Sequence, residues 1–217
     1  MPGTPLNIAD IRKDYKLAAL DEDTVGYDPI AFFTKWFAEA EAAQITEINA
    51  MTLATADNNG IPHARIVLLK GLDKAVFVFF TNYDSAKGKE IDSNPHAALV
   101  FFWKELERQV RIEGTIEKIQ PGESDIYFRS RPAGSRIGAW ASPQSKEIPD
   151  RNILDLNYAR YEEEFSQIEI PRPPYWGGYK VIPGHIEFWQ GRSSRMHDRI
   201  LFTKNETGNW ERSRLAP

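Results

Sequence analysis

The chain has 217 residues, no cysteine, 41% hydrophobic residues and a formal net charge of -4. This length is enough for one domain with a substantial core. The acidic balance argues against binding to nucleic acid or to an anionic membrane surface, and the lack of cysteine excludes disulfides and thiolate metal sites. The absence of cysteine fits a cytoplasmic protein best. Because no apolar run is long enough to span a membrane and no signal region opens the chain, we expect it to be soluble and unprocessed.

Two helices are predicted before the first strand. Residues 8–17 are expected to form a short helix with a thin apolar face. Asp28 is a good N-cap and Pro29 is preferred at a first helical position, so a stronger helix begins there. The apolar stripe of this second helix, which should cover one side of the core, consists of Phe32, Phe33, Trp36, Phe37 and Ala40.

From Asn49 onward the pattern changes to that of short strands. The sequence between Asp57 and Gly60 is a turn that joins two strands into a hairpin, and residues 71–74 form a second turn. Strands are predicted over 50–56, 62–71, 75–81, 97–103 and 107–119, with a helix over 84–93. Five short strands joined mostly by tight turns favour an antiparallel sheet that closes into a barrel.

The second half is predicted to be helical first and then to return to strands. Helices are expected over 121–130, over 135–140 with Ser135 as the cap, and over 150–165. Strands are expected over 176–182, 185–190, 195–203 and 210–214. The fold class is therefore mainly β with peripheral helices (α+β). We expect a single domain over 1–217, with a helical segment over 1–45 and closing strands over 171–217.

The stretch 186–199 carries the most concentrated chemistry. If the residues after its Gly-Arg-Ser-Ser turn form a strand, Arg195, His197 and Arg199 share one face, because side chains alternate along a strand. Two guanidinium groups flanking one imidazole suit an anionic, ring-shaped ligand. The alternative is the solvent face of an edge strand, which the charges would keep unpaired.

Cations at other points of the chain predict further anion sites. Arg65 and Lys70 are an odd number of residues apart, so in a regular strand they face opposite sides. Two separate anions, or one anion and one carboxylate, would account for both; the alternative is a buried strand with charged ends. Lys87 lies in the first turn of a predicted helix, where amides attract phosphate, although a solvent-facing cap is the commoner arrangement.

Tyr127, Arg131 and Ser135 surround another predicted helix start. A phenol, a guanidinium and a hydroxyl in this position form a plausible cradle for a phosphomonoester, and the alternative is an arginine-rich helix exit in solvent. Gln144 and Ser145 would ordinarily be a polar loop.

Several common motifs are missing. The sequence has no glycine-rich dinucleotide fingerprint, no phosphate-binding P-loop and no nucleophile elbow. The four histidines have no metal-ligand spacing, so we expect no metal site. An oligonucleotide-binding barrel would need a basic stripe, which the acidic chain lacks.

Taken in order, the motifs resemble those of the pyridoxine (pyridoxamine) 5'-phosphate oxidase family. The resemblance runs from about Ile8 to the last residue, and its strongest part is the stretch 186–199. The other matching segments are 65–70, 106–110, 130–132, 135 with 137–140, 144–145, 176–178 and 214–217. Each motif is weak alone, whereas their order and spacing are specific.

The resemblance implies an FMN-binding split β-barrel homodimer with FMN at the subunit interface and the closing strands in dimerisation. The residues that would contact FMN are Arg65, Ile66, Lys70, Phe80, Thr81, Lys87, Gln109, Gln144, Ser145, Trp189 and Arg199. The residues that would bind the substrate are Lys70, Tyr127, Arg131 and Ser135 at its phosphate, Arg195 and His197 at its ring, and Arg12 and Tyr15 from a segment that closes over the pocket.

The implied reaction belongs to vitamin B6 metabolism. Pyridoxine 5'-phosphate or pyridoxamine 5'-phosphate would be oxidised to pyridoxal 5'-phosphate while dioxygen is reduced to hydrogen peroxide. Arg195 and His197 would be the catalytic residues, with Arg195 clamping the substrate ring and His197 bonding its polar edge. We expect Lys70, Arg131 and Arg195 to surround a common cavity.

Two other functions remain open, and two positions differ from the family pattern. The chain could be a non-catalytic split-barrel protein that binds FMN or pyridoxal 5'-phosphate, or a flavin-barrel oxidoreductase with another electron donor. Ala86 stands where the family commonly has an arginine, and Phe80 replaces a common tyrosine. The first departure predicts weaker FMN retention than is usual in the family.

Overall fold

The computed structural model describes residues 7–11 and 13–217, without the side chain of Asp10. Its α-helices are α1 (Glu22–Val25), α2 (Pro29–Ala42), α3 (Ala86–Ser93), α4 (Pro121–Ser130), α5 (Ala133–Ala141) and α6 (Asn152–Glu164). Short 3-10 helices cover Ile8–Asp10, Lys104–Leu106 and Ser193–Arg195. Among the described residues, no helix has both the length and the apolar character needed to cross a membrane.

In the part of the chain that the structure describes, nine strands form one sheet. They are β1 (Ala50–Ala56), β2 (Pro62–Leu68), β3 (Gly71–Asp73), β4 (Val76–Asn82), β5 (His96–Trp103), β6 (Arg108–Lys118), β7 (Trp176–Gln190), β8 (Asp198–Lys204) and β9 (Trp210–Leu215). The strand order is β2-β1-β5-β6-β7-β4-β3, and β8 pairs with β7 and β9. The pairs β1 with β2, β4 with β7 and β7 with β8 are all antiparallel, so the predicted mainly β class with peripheral helices is confirmed.

The chain divides into two compact units. The terminal unit contains the described residues up to Ile48, with Phe102–Arg111 and His185–Pro217. The central unit contains Asn49–Phe101 and Ile112–Gly184.

The first helix predicted from the sequence is wrong beyond its first turn. Of the described residues in the range 8–17, only Ile8–Asp10 is helical, as a 3-10 turn whose N-cap Asn7 accepts a hydrogen bond from the Ala9 amide at 3.3 Å. Further on, the amides of Lys16 and Leu17 donate to the Glu107 carboxylate at 2.8 and 3.1 Å. Because a side chain distant in sequence satisfies these amides, the segment does not need helical hydrogen bonds.

Helix α2 confirms the second predicted helix and builds the core of the terminal unit. Asp28 accepts hydrogen bonds from the first free amides, and Pro29 occupies the first turn. The Phe32 and Trp36 rings lie 4.8 and 5.3 Å from the ring of Phe188, which is fully buried. Burial of one such aromatic side chain contributes roughly 1.5–3 kcal/mol. The buried residues of the predicted stripe are Phe32, Phe33, Trp36 and Ala40, and Phe37 is half-buried.

In the central unit, β1 and β2 form the predicted hairpin. Ala50 pairs with Leu68 and Ala56 with Pro62. In the turn, the Asp57 carboxylate accepts hydrogen bonds from the Asn59 and Ile61 amides at 2.8 and 2.9 Å. Gly60 adopts a φ of +77°, a left-handed conformation that favours glycine.

Two glycines of β7 let helix α4 approach the sheet. Gly177 and Gly178 pair with Thr81 and Phe80 of β4. A Cβ atom on Gly177 would lie 2.1 Å from the Tyr83 hydroxyl, so no larger residue fits without displacing that ring. The Gly178 amide donates to the Ser124 hydroxyl of α4 at 3.1 Å. The glycines therefore fix the position of α4 and of the residues that follow it.

Three further local predictions are corrected. The predicted turn over 71–74 contains the short strand β3, which pairs with β4. Pro132 is the N-cap of α5, so Ser135 lies inside this helix and does not cap it. The two strands predicted over 176–182 and 185–190 form the single strand β7.

The strand predicted over 195–203 begins later, at Asp198. Arg195 ends a 3-10 turn and has a φ of +60°, and Ser194 has a φ of +55°. Strand alternation therefore does not relate Arg195 to His197 and Arg199, so the prediction that all three share one strand face is wrong. The serine-rich turn continues for longer than its sequence indicated.

Gly114 provides a test of the close packing in the central unit. A Cβ atom there would lie 2.0 Å from the Ile182 carbonyl oxygen of β7, a backbone atom that cannot rotate away. We expect Gly114→Ala to lower the free energy of unfolding by about 1–3 kcal/mol, as overpacking typically does. The matched control is Gly184→Ala, whose new Cβ would lie 3.8 Å from the Glu113 carbonyl oxygen and should be nearly neutral. Urea unfolding curves of both variants measure the difference, and equal midpoints would contradict the expectation.

Candidate active site

A cavity of about 550 Å³ in the central unit gathers many of the predicted site residues. We call it the cationic pocket. It is lined by Arg65, Ile66, Val67, Leu68, Lys70, Phe80, Thr81, Lys87, Tyr127, Arg131, Pro132, Ser135, Gln144 and Trp176. The cavity thus combines four cationic side chains with aromatic and aliphatic walls, a composition suited to a phosphorylated ring.

Arg65 and Lys70 both line this cavity, so the prediction that they face opposite sides is wrong. The strand β2 ends at Leu68, before Lys70 is reached. The Lys70 amide then donates to the Val78 carbonyl of β4 at 2.8 Å. Because the chain has left the regular strand, the alternation of side chains no longer applies.

Lys87 occupies the first turn of α3, as the sequence predicted. Its ammonium group donates to the Thr81 hydroxyl at 3.2 Å, the Ser85 hydroxyl at 3.3 Å and the Gln144 side-chain oxygen at 3.1 Å. All three acceptors are neutral. Burial, together with the nearby Arg65, lowers the pKa of Lys87 below its ordinary value. An anion in the cavity would relieve this desolvation, so Lys87 is well placed to bind one.

Glu90 is a site residue that the sequence reasoning missed. It lies on α3 and is buried, and it accepts a hydrogen bond from Arg65 at 3.1 Å. Its carboxylate also contacts the Thr55 hydroxyl and, at 3.1 Å, the His63 ring nitrogen. These contacts fix the direction of the Arg65 guanidinium. The sequence offered only one indication, an acidic residue on the face of a short helix that must pack on strands.

Among the cations that line the pocket, Arg131 has a buried hydrogen-bond donor without an acceptor in the described chain. Its guanidinium carbon lies 4.6 Å from the centroid of the Trp176 ring, a cation–π arrangement. Its Nη1 atom is buried and has no hydrogen-bond partner among the described residues. Burial lowers the pKa of Arg131. A buried guanidinium N–H without an acceptor is costly, so an anionic oxygen at this atom would stabilise the site.

Aromatic rings form a wall beside Arg131. The Phe80 and Tyr127 rings are stacked with centroids 3.8 Å apart, and Trp176 is stacked on Phe80 at 5.6 Å. Trp176 was noted in the sequence only as part of the Trp-Gly-Gly motif. Its role beneath the guanidinium depends on how β7 places it, which no local pattern indicates.

The terminal unit has its own cavity, of about 530 Å³, which we call the N-terminal pocket. It is lined by Ile11, Lys13, Asp14, Tyr15, Arg192, Ser194, Arg195 and His197. The His197 Nδ1 atom accepts a hydrogen bond from the Arg192 amide at 3.0 Å. In a neutral imidazole this bond places the proton on Nε2, so His197 presents a hydrogen-bond donor at that atom.

Three other predicted residues of the terminal unit that the structure describes, Gln109, Trp189 and Arg199, do not line the N-terminal pocket. Trp189 packs on His197 with ring centroids 4.6 Å apart, and Gln109 is half-buried on β6. Arg199 donates two hydrogen bonds to Glu187 at 2.8 and 3.0 Å, which raise the pKa of Arg199.

Some predicted residues line neither the cationic pocket nor the N-terminal pocket, and neither lining contains Lys70, Arg131 and Arg195 together. Lys70 and Arg131 line the cationic pocket, whereas Arg195 lines the N-terminal pocket. Ser145 is exposed next to Gln144 and has a φ of +68°. Arg12 lies outside the described residues.

Solved structures show the fold class to which this architecture belongs. PhzG from Burkholderia lata 383, solved with tetrahydrophenazine-1-carboxylic acid, is similar with a TM-score of 0.87 and 28% identity, over 94% of this chain and 100% of that chain. A pyridoxamine 5'-phosphate oxidase-related, FMN binding protein from Nostoc punctiforme has a TM-score of 0.70 and 17% identity, over 88% and 100% of the two chains, and supports the fold alone. The chain is therefore a split β-barrel protein, the class expected from its sequence.

Sequence comparisons then define the family. The profile described as pyridoxamine 5'-phosphate oxidase matches residues 37–164, and that of the pyridoxine 5'-phosphate oxidase C-terminal dimerisation region matches residues 176–217. A pyridoxine/pyridoxamine 5'-phosphate oxidase of Ralstonia nicotianae is 56% identical over 97% of this chain and 99% of its own length. The corresponding protein of Trichormus variabilis is 56% identical over 97% of this chain and 98% of its own length. The chain belongs to the pyridoxine/pyridoxamine 5'-phosphate oxidase family.

Because burial lowers the pKa of Lys87, we expect anion binding to the cationic pocket to depend on pH. Below this pKa Lys87 is cationic and attracts phosphate, and above it the neutral amine does not. We expect the affinity for inorganic phosphate to fall as pH rises through the lowered pKa, while Lys87→Arg, which stays charged, keeps its affinity over the same range. Calorimetric titrations at a series of alkaline pH values measure this. A parallel decline in both proteins would rule out Lys87 as the anion ligand.

Proposed function

We propose that the chain is an FMN-dependent oxidase that converts pyridoxine 5'-phosphate or pyridoxamine 5'-phosphate to pyridoxal 5'-phosphate. Family membership supports the reaction class. The observation that carries the proposal is that one aromatic-walled pocket contains two sets of cations. Arg65 and Lys87 form the first set, and Arg131, with its unbonded Nη1 atom, forms the second. Two phosphorylated aromatic molecules, a cofactor and a substrate, require two such groups.

The donor set of the cationic pocket fits FMN. Arg65 and Lys87 would hold the FMN phosphate, and the Thr81 hydroxyl and Gln144 side chain, already bonded to each other at 3.2 Å, would supply further polar contacts. FMN would supply the two-electron acceptor for oxidation at the C4' carbon of the substrate, with dioxygen as the final acceptor and hydrogen peroxide as its product. With pyridoxamine 5'-phosphate, the oxidised amine would be hydrolysed and its nitrogen would leave as ammonia. The protein itself binds and orients the two rings.

The remaining predicted residues act on the substrate. Arg131, with Lys70, Tyr127 and Ser135, would bind the substrate phosphate, and its free N–H provides a charge-assisted hydrogen bond. Arg195 would clamp the substrate ring. His197 would donate from Nε2 to the polar edge of the ring, because its Nδ1 atom is occupied by the Arg192 amide.

The working form would be a homodimer in the cytoplasm, with the ligands at the subunit interface. The match of residues 176–217 to a dimerisation region supports the assembly. We propose, as the family resemblance implies, that dimerisation completes the set of residues around the ligands. The additional partners of the reaction would be the two phosphorylated substrates and dioxygen.

One experiment separates this function from its alternatives. The purified protein, loaded with FMN, is mixed with pyridoxine 5'-phosphate or pyridoxamine 5'-phosphate, and hydrogen peroxide release is measured. A non-catalytic FMN- or pyridoxal 5'-phosphate-binding barrel would release none. An oxidase of tricyclic carboxylates, suggested by the ligand of PhzG, would release peroxide with those compounds and not with phosphorylated pyridines. Unphosphorylated pyridoxine is the matched control, and equal rates with and without the phosphate would contradict the role of Arg131.

Arg195→Leu tests the proposed clamp on the substrate ring. We expect kcat/KM to fall by about 100-fold, because hydrogen bonds to charged groups contribute roughly 1.5–3 kcal/mol. The exposed Arg129→Leu, on α4, removes the same charge away from both pockets and should leave turnover unchanged. Full turnover of purified Arg195→Leu would show that the clamp does not exist.

Ala86→Arg tests the departure from the family at the first residue of α3. The site is exposed, and an arginine there would add a cation beside Lys87. We expect FMN to bind about tenfold more tightly, which corresponds to one added charge-assisted contact. Ser93→Arg, at the last residue of the same helix, adds the same charge about 10 Å away and serves as the control. Quenching of flavin fluorescence gives both dissociation constants, and an unchanged constant for Ala86→Arg would count against the prediction.

A further inference from the structure

We propose that Glu107 is a positioning residue that fixes residues 13–17 and thereby holds Tyr15 in the N-terminal pocket. This inference deepens the proposed function, since Tyr15 matters to catalysis only if that pocket receives the substrate. All of the contacts involved lie within the terminal unit.

The Glu107 carboxylate is buried, with 2% of the residue exposed. Its Oε2 atom accepts hydrogen bonds from the amides of both Lys16 and Leu17, at 2.8 and 3.1 Å. Its Oε1 atom lies 3.4 Å from the ammonium group of Lys13. Burial alone would raise the pKa of this carboxyl, yet the two amides and Lys13 lower it overall. The charged carboxylate therefore depends on residues 13–17 as much as they depend on it.

The backbone of Glu107 ties the same residue to the strand that leads to His197. Glu107 has a φ of +56°, a left-handed conformation that is uncommon for a residue with a side chain. In this conformation its carbonyl oxygen accepts a hydrogen bond from the Gly191 amide at 2.8 Å and another from the Gln190 side chain at 3.2 Å. One residue thus binds the N-terminal segment by its side chain and the end of β7 by its backbone.

Tyr15 lies where these two attachments meet. A Cβ atom on Gly191 would be 2.6 Å from the Tyr15 ring, so the ring rests directly on the glycine backbone. The Tyr15 ring centroid is 5.8 Å from that of Trp189, edge to face, and 6.1 Å from that of His197. Any displacement of residues 13–17 therefore moves Tyr15 away from His197.

Apolar burial does not provide a substitute for these hydrogen bonds. Ile11 and Leu17, the large apolar residues on either side of Tyr15, are 71% and 61% exposed. The next fixed point along the chain is Leu20, which is buried and whose amide donates to Asp198 at 3.1 Å. Between the 3-10 turn and Leu20, the buried Glu107 carboxylate accepts two backbone hydrogen bonds, whereas the exposed Asp14 carboxylate accepts one, from the Ser194 amide at 3.3 Å. Glu107 is therefore the stronger of these two anchors.

The first test uses limited trypsin digestion of the FMN-loaded protein without substrate. Cleavage of the bond after Lys16 requires that this segment leave its place. We expect Glu107→Ala to speed this cleavage at least tenfold relative to cleavage after Arg160, an exposed site on α6 that reports general unfolding. Glu107→Gln keeps one carbonyl oxygen as an acceptor, so its rate of cleavage after Lys16 should lie between those of the wild type and Glu107→Ala. Glu105 is exposed and lies in the 3-10 turn Lys104–Leu106 that precedes Glu107, so Glu105→Ala should behave like the wild type. Unchanged cleavage after Lys16 in Glu107→Ala would overturn the proposal.

The second test is kinetic. We expect Glu107→Ala to raise KM for pyridoxine 5'-phosphate by tenfold or more. FMN affinity should stay unchanged, because the substitution keeps the backbone carbonyl that bonds to Gly191 and Gln190 at the end of β7. In a Tyr15→Ala background, Glu107→Ala should add no further rise in KM, since the positioned ring is already gone. If Glu107→Ala raised KM as much in the Tyr15→Ala background as in the wild type, Glu107 would not act through Tyr15. If the wild-type protein has no oxidase activity but the cleavage difference is present, the proposed function fails and the anchoring role of Glu107 stands.

Discussion

Partly buried cations whose hydrogen-bond acceptors are neutral, as at Lys87, or missing among the described residues, as at one N–H of Arg131, are the constraint on which the central unit depends. Lys87 is surrounded by neutral oxygens, and Arg131 rests on an indole ring with one N–H unbonded. Such groups lower the stability of the empty protein and are favourable only when an anion is bound. The fold supports them by close packing: Gly177 and Gly178 allow α4 to lie near β7, and α4 leads directly to Arg131.

Local patterns in the sequence predicted most of the fold. The Asp28–Pro29 start of α2, the hairpin turn ending at Gly60 and the bounds of α4 are confirmed, because each rests on neighbouring residues. The errors have a different cause. The helix expected over 8–17 is replaced by contacts to Glu107, 90 residues and more away, and Arg195 lies outside β8 because two consecutive left-handed residues extend the turn. Interactions between residues distant in sequence determine the conformation of such segments. A single sequence does not show which distant residues interact.

The sequence predicted the residues of the candidate site that would bind a ligand directly. It did not predict the residues that orient them. Arg65, Lys87 and Arg131 could be proposed as anion ligands from charge and position alone. Glu90, which directs Arg65, and Glu107, which anchors residues 13–17, carry a charge opposite to that of the ligand sites. Their function is to orient other groups, so only the folded arrangement of α3 on the strands and of residues 13–17 on Glu107 identifies them.

The left-handed backbone at Ser194 and Arg195 limits how the protein can be redesigned. A φ near +60° is tolerated by glycine and, among residues with side chains, best by asparagine and aspartate, and it is strained for β-branched residues. Efforts to alter ring selectivity at position 195 therefore have a narrow choice: valine, isoleucine or threonine would disturb the loop itself before any change in ligand preference could be observed.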